Sequence, residues 1–184
     1  MEMTQKKSKW TTKDTTIVAF MVALISVSSY IIIPLPFSSA SITAQTIVVN
    51  LVGLLLGPLE SAAVFIVWIL LGLVGLPVFS GGAGGPGKLF GPTGGYILGY
   101  LVAAVMISFF CKKVKDLRLQ LVFLILAGIP VIYFFGAIWM KFVTKQVWSA
   151  IMVQAVFPFI PLDIVKCFVA ILLAKALRKA RAIR

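Results

Sequence analysis

Residues 76–100 read LPVFSGGAGGPGKLFGPTGGYILGY, a stretch dense in glycine and proline between apolar runs long enough to cross a membrane. Glycine admits positive φ and close backbone approach, while proline fixes φ and removes a donor. The stretch cannot form a regular helix. An unpaired N–H or C=O in hydrocarbon costs several kcal/mol, so the segment must lie outside the lipid or be shielded from it by protein. Two readings stand open: a re-entrant or capping loop that holds a small ligand, and an exposed connector. A P-loop is excluded, because Lys88 is followed by Leu89 where GxxxxGK[ST] needs serine or threonine.

The rest of the chain fits a polytopic membrane protein. Hydrophobic residues make up 61% of the 184 positions, against the 45–50% usual in soluble domains, and mean hydropathy is +1.10. The net charge of +12 suggests nucleic acid at first sight. The basic residues, however, form short clusters between apolar segments, as at a cytoplasmic membrane face, and nucleic-acid binding is set aside. Cys111 and Cys167 are far apart in sequence, and without histidine they make no zinc pattern. The first apolar run lacks a small-residue cleavage site and reads as a retained helix rather than a signal peptide.

The length accommodates one integral membrane domain, residues 1–184. Residues 1–16, with Lys6, Lys7, Lys9, Trp10 and Lys13, read as an interfacial segment. Six helices are expected over about 17–33, 42–56, 59–76, 93–110, 119–140 and 161–177, followed by a basic tail at 178–184. The second is short and carries Gln45 and Asn50, which suits a bundle interior better than lipid. Gly128 and Pro130 mark a kink or local unwinding in the fifth. Pro161 should open the sixth as its first residue. Thirteen of the seventeen Lys and Arg fall in the N-terminal segment, the 112–118 turn and the end from Lys175. Six crossings with this asymmetry place both termini in the cytoplasm and the glycine-rich loop outside.

Asp163 and Lys166 stand near the start of the last helix, in PFIPLDIVK, at a spacing that shares one helix face. Charges inside a membrane segment are expensive and usually face a bundle interior or a water-filled cavity. A structural ion pair and a clamp for a neutral amide-like or ureido group are both open. Tyr96 and Phe79 could cover an apolar or flat ligand face. Lys88, among the loop glycines that include Gly82 and Gly84, could meet a carboxylate or hydrate at the rim. Ala19 and Ala23 form a small-xxx-small pair on the first helix, suited either to internal packing or to docking of another membrane helix. No nucleophile–base pair, carboxylate dyad, metal cluster or ATP-binding motif can be assembled, so an enzyme or autonomous pump is not expected.

GLPVFSGGAGG at 75–85 and GPTGGYILGY at 91–100 resemble the hallmark region of the BioY family, biotin-binding subunits of energy-coupling-factor (ECF) transporters. PFIPLDIVK at 158–166 is similar to a second hallmark, with Leu162 where that family usually has glycine. The resemblance implies an all-α, six-helix substrate-capture subunit in a prokaryotic plasma membrane. Its ligand site would draw on Asp163, Lys166, Tyr96, Phe79, Gly82, Gly84, Lys88 and Gln45. Biotin would be cargo, with no resident cofactor or metal. A transmembrane coupling protein and two cytoplasmic ABC ATPases would be partners, and Ala19 and Ala23 match the AxxxA pattern that meets the coupling protein. The alternatives are capture of another small vitamin, or a structural membrane protein without transport.

Overall fold

The computed structural model describes residues 10–180; Lys6, Lys7, Lys9, Arg181 and Arg184 lie outside that range. The helices are α1 (Thr12–Ser28), α2 (Gln45–Leu55), α3 (Pro58–Leu73), α4 (Pro86–Leu89), α5 (Gly94–Lys113), α6 (Leu117–Phe123), α7 (Ile129–Thr144), α8 (Trp148–Ala155) and α9 (Ile160–Lys179). Strands β1 (Ile32–Ile33) and β2 (Ile42–Thr43) form a short antiparallel pair, with Ile32 opposite Thr43 and Ile33 opposite Ile42.

Helix α2 is the interior element. Ten of its eleven residues are buried, including Gln45, Thr46 and Asn50, as its shortness and polarity suggested. At 1.5 Å per residue it is only about 16 Å long, and its C-terminal carbonyls must find partners inside the bundle. The Arg178 guanidinium donates to the Leu54 carbonyl, Ser61 Oγ donates to Val52 O at 3.4 Å, and Ser108 Oγ donates to Leu56 O at 2.6 Å. A cation at a helix C-terminus also complements the dipole. Arg178 further donates to Gln120 Oε1 at 3.2 Å, and the buried Gln120 donates to Val114 O at 2.6 Å.

These contacts fix direction. Thr46 meets Asp163, Asn50 meets Cys167 and Leu54 meets Arg178, so α2 and α9 run parallel. Arg178 and the basic turn after α5 therefore share one end of the bundle, while Asp163 and the N-terminus of α2 share the other.

Several helix ends differ from the expectation. Helix α1 starts at Thr12, where Thr11 and Asp14 form a capping box, so the helix takes up part of the expected interfacial segment. It stops at Ser28 rather than near residue 33. Ser28 Oγ and Ser29 Oγ donate back to the Ile25 and Ser26 carbonyls at 2.8 and 2.6 Å, competition that favours a helix end, and Ile32–Ile33 go into the strand pair instead. Ile42–Thr43 likewise join β2, so α2 begins at Gln45 rather than residue 42. Pro161 is the second residue of α9, after Ile160.

The expected irregularity at Gly128 and Pro130 is a π-helical turn, Leu124–Gly128, that joins α6 to α7. Pro130 has no N–H for a carbonyl one turn back, and the widened turn absorbs the missing bond: Ile129 N–H reaches Leu124 O instead. By length and composition, Gly94–Lys113 and Leu117–Thr144 can cross a membrane. Trp148–Ala155 with Ile160–Lys179 makes a third span if that pair, bent by 40°, is counted as one.

Packing of α5 on α7 depends on small residues. A Cβ on Gly95 would lie 2.3 Å from the Phe135 carbonyl oxygen, and one on Gly99 would lie 3.1 Å from Ile132 Cα. The Gly-Gly pair before Tyr96 is thus a helix-contact feature, independent of any ligand. We predict that Gly95→Ala destabilises the chain by about 1–3 kcal/mol, as overpacking does. A clearly lowered melting temperature in detergent is expected; an unchanged one would mean that α5 and α7 part at no cost.

Candidate ligand-binding cavity

The glycine-rich stretch folds back over the bundle as a cap. Gly81 and Gly82 take φ of 76° and 69°, which lets the chain reverse between Phe79 and Ala83. Those two residues exchange backbone hydrogen bonds of 2.8 and 3.2 Å. Phe79 is driven inward as the anchor. It is fully buried, meets Trp68 edge-on at 5.0 Å between ring centroids, and occupies the space beside Gly72, where a Cβ would fall 2.0 Å from its ring. Trp68 Nε1 donates to Val78 O at 3.1 Å and ties the same loop to α3.

Beneath this cap lies a cavity with about 50 Å³ of free space, room for a few waters. Phe79, Ser80, Lys88 and Thr93 form the loop side, and Ala40, Ser41 and Thr43 come from the strap between α1 and α2. Helix α2 supplies Gln45 and Thr46. Tyr96 and Tyr100 come from α5, Tyr133 from α7, and Asp163 and Lys166 from α9. The loop thus lies as a cap over a cavity rather than as a fully exposed connector.

Asp163 is the hub of the polar wall and is 4% exposed. Its Oδ1 accepts from Lys166 Nζ at 2.8 Å and from Thr46 Oγ1 at 3.1 Å, and its Oδ2 accepts from Tyr133 Oη at 2.7 Å. Three helices meet on one carboxylate. The first turn of α9 places it near the positive end of that helix. The ion pair therefore anchors three helices and also lines the cavity.

Gln45 is 2% exposed, and its Nε2 is buried without a partner. A buried donor left unpaired costs on the order of 1–3 kcal/mol. Tyr96 donates its hydroxyl to the Ala155 carbonyl, which leaves its ring as an apolar wall. Half-buried Lys88 lies outside the spanning helices, and desolvation holds its ammonium below the usual lysine pKa. An anion beside it would offset that cost.

Six of the eight candidate ligand residues thus converge: Gln45, Phe79, Lys88, Tyr96, Asp163 and Lys166. Gly82 and Gly84 stand elsewhere. A Cβ on Gly82 would meet the Tyr30 ring at 2.7 Å, and one on Gly84 would lie 2.4 Å from the Leu76 carbonyl oxygen; both belong to the packing of the loop. Thr43, Thr46 and Tyr133 were not singled out by the sequence. A tyrosine inside the apolar run 119–140 was the available signal for Tyr133. The two threonines gave none, because hydroxyl direction depends on packing. Cys111 and Cys167 are both free and buried.

A helical bundle with a capped, partly apolar cavity at one end and an ion pair in its wall describes a small-molecule-binding membrane protein. The BioY family model matches residues 3–183, and the chain belongs to the BioY family. It is 33% identical over 165 residues to the biotin transporter BioY2 of Lactococcus lactis subsp. cremoris MG1363, covering 90% of both chains. It is 35% identical to a probable biotin transporter BioY of Pyrococcus horikoshii, over 90% of this chain and 96% of that one. A crystal structure of the S-component for biotin from an ECF-type ABC transporter superposes with TM-score 0.85 at 31% identity, over 93% of this chain and 95% of the other.

The hub yields a stability prediction. Asp163→Leu leaves Lys166 without its counter-charge and two hydroxyls without their acceptor, and should destabilise the apo protein by about 3–5 kcal/mol. Adding Lys166→Met should restore the part of the loss that comes from the unpaired charge, leaving the two hydroxyls without their acceptor. Apo melting curves of the single and double variants decide it: a single variant as stable as the parent would remove the carboxylate as an anchor.

Proposed function

We propose that this chain is the biotin-capturing S component of an ECF-type transporter. The observation that carries this reading is the capped cavity, lined both by Gln45, whose buried amide donor is unpaired among the described residues, and by the Asp163–Lys166 pair, in a chain of the BioY family. A ureido group offers one carbonyl acceptor and two N–H donors. Gln45 and Lys166 supply donors for the carbonyl, while Asp163 and the cavity hydroxyls supply acceptors for the N–H groups. The rings of Tyr96 and Phe79 enclose the apolar bicycle, and Lys88 at the loop side meets the valerate carboxylate. Gly82 and Gly84 serve the ligand by shaping the cap. Biotin is cargo here and not a resident cofactor.

The chain sits in a prokaryotic plasma membrane with six crossings and both termini cytoplasmic. Support comes from the basic asymmetry of the sequence and from the gathering of Arg178 and the 112–118 turn at the end opposite the cavity. The cavity then opens to the outside. Import is driven by a transmembrane coupling protein and two ABC ATPases. Ala19 and Ala23 both lie on the exposed side of α1, away from Val18, Met21, Val22 and Ile25, which pack inward. That placement suits a partner helix rather than internal packing.

Two measurements test this. The purified chain should bind biotin at about one-to-one stoichiometry and submicromolar affinity, without ATP, in isothermal titration. Gln45→Leu should weaken binding about tenfold, the value of one hydrogen bond, without lowering apo stability, because the removed donor had no partner. Absence of saturable heat with folded protein, or saturation by another vitamin instead, would sink the assignment. Separately, Ala19→Trp with Ala23→Trp should leave biotin binding intact while abolishing co-purification with the coupling protein and ATPases. Normal assembly of that variant would show that this face meets no partner.

A further inference from the structure

A second concavity lies on the outside of the bundle, where α7 faces α8 and α9. Its volume is about 470 Å³, and its walls include Ile125, Pro130, Ala137, Trp148, Met152 and Ile164. The lining is apolar throughout. Its two polar-tipped side chains are Trp148 and Tyr133, and the Tyr133 hydroxyl is turned away to Asp163. The groove exists because α8 and α9 bend by 40° about the break between them, while the π-helical turn and Pro130 interrupt the regular helix opposite. Along the π-helical turn and α7 it spans Ile125 to Ile138, roughly 20 Å at about 1.5 Å per residue. That is an elongated, open concavity rather than a convex helix face.

One end of the slot is polar and positive. Trp148 is half exposed there, with Lys141 Nζ 5.8 Å from its ring centroid. Lys141 also donates to the Gln146 carbonyl. Lys145 follows, exposed, at the left-handed end of α7. An indole with adjacent lysines at the end of an apolar helix is the arrangement expected at a headgroup boundary.

We propose that this groove seats one acyl chain of an anionic phospholipid, with the headgroup phosphate against Lys141 and Lys145. Shape selects a chain-like apolar occupant, since no polar group in the slot could orient anything else. Charge selects the headgroup. The inference rests on membrane embedding but not on biotin as ligand. Tyr133 gives the site a bearing on the cavity: the same residue lines the groove and donates to the carboxylate in the cavity wall. An acyl chain in place would fill the space into which α7 could otherwise sag away from Asp163.

The test uses the full chain in nanodiscs doped with diazirine-acyl phosphatidylglycerol or diazirine-acyl phosphatidylcholine, with labelled peptides mapped by mass spectrometry. Label from the glycerol probe should concentrate on residues 125–138 and 148–164. Its preference over the choline probe should be about fivefold for each lysine engaged. Lys141→Gln with Lys145→Gln should make the two probes equal. Ile164→Trp and, independently, Ile138→Trp should fill the slot and cut labelling of those peptides severalfold, leaving label on the outward face of α3 unchanged. Because Ile138 is already 44% exposed, a bulkier side chain there is tolerated by the fold. Even labelling around the whole perimeter, or labelling insensitive to both tryptophans, would overturn the proposal. So would exclusion of label together with a chain–chain cross-link across the groove, which would assign the surface to a second copy.

Discussion

A carboxylate buried beneath an apolar roof can persist only if its oxygens are satisfied, and Asp163 meets that condition by drawing donors from three helices. Thr46 on α2, Tyr133 on α7 and Lys166 on α9 must all arrive at one point. None can shift far without stranding a charge or a hydroxyl. Placing α2 inside the bundle follows from the same constraint, because a helix bearing Gln45, Thr46 and Asn50 has no stable position in lipid. At its other end Arg178 serves as a counterpart, closing the Leu54 carbonyl and the Gln120 side chain. Polar bonds hold the two ends of the α2–α9 pair, and the Asn50–Cys167 contact and apolar packing fill the length between them.

The cap is held by different means. Phe79 acts as a plug set in the gap beside Gly72 and against Trp68, and the loop backbone is tied to the bundle by Tyr30, Trp68 and Trp139 side chains and by the Ser29 and Gly72 carbonyls. Apolar contacts are less directional than the hydrogen bonds around Asp163.

Much of this was legible from the residues. Apolar runs separated by glycine, proline and charge located the helices. The cost of charge in hydrocarbon singled out Asp163 and Lys166, and shortness together with polarity placed α2 inside. Helix ends were less legible: Ser28 and Ser29 could have lain within a helix as readily as ended it, and the pairing of Ile32–Ile33 with Ile42–Thr43 is non-local. Gly82 and Gly84 were assigned to the ligand because glycine density marks close approach, yet the approach is to Tyr30 and to the Leu76 carbonyl. Tyr133 and Thr46 escaped because a neutral hydroxyl costs little in sequence terms and gains its importance only from the carboxylate it meets.

The brevity of α2 also sets a distance. The cavity opens at its N-terminus, and eleven residues later the helix ends among the basic groups of the opposite end. Cargo resting on Gln45 would have a septum only three turns deep, about 16 Å, between it and that far side. That depth is about half of the roughly 30 Å of a hydrocarbon core.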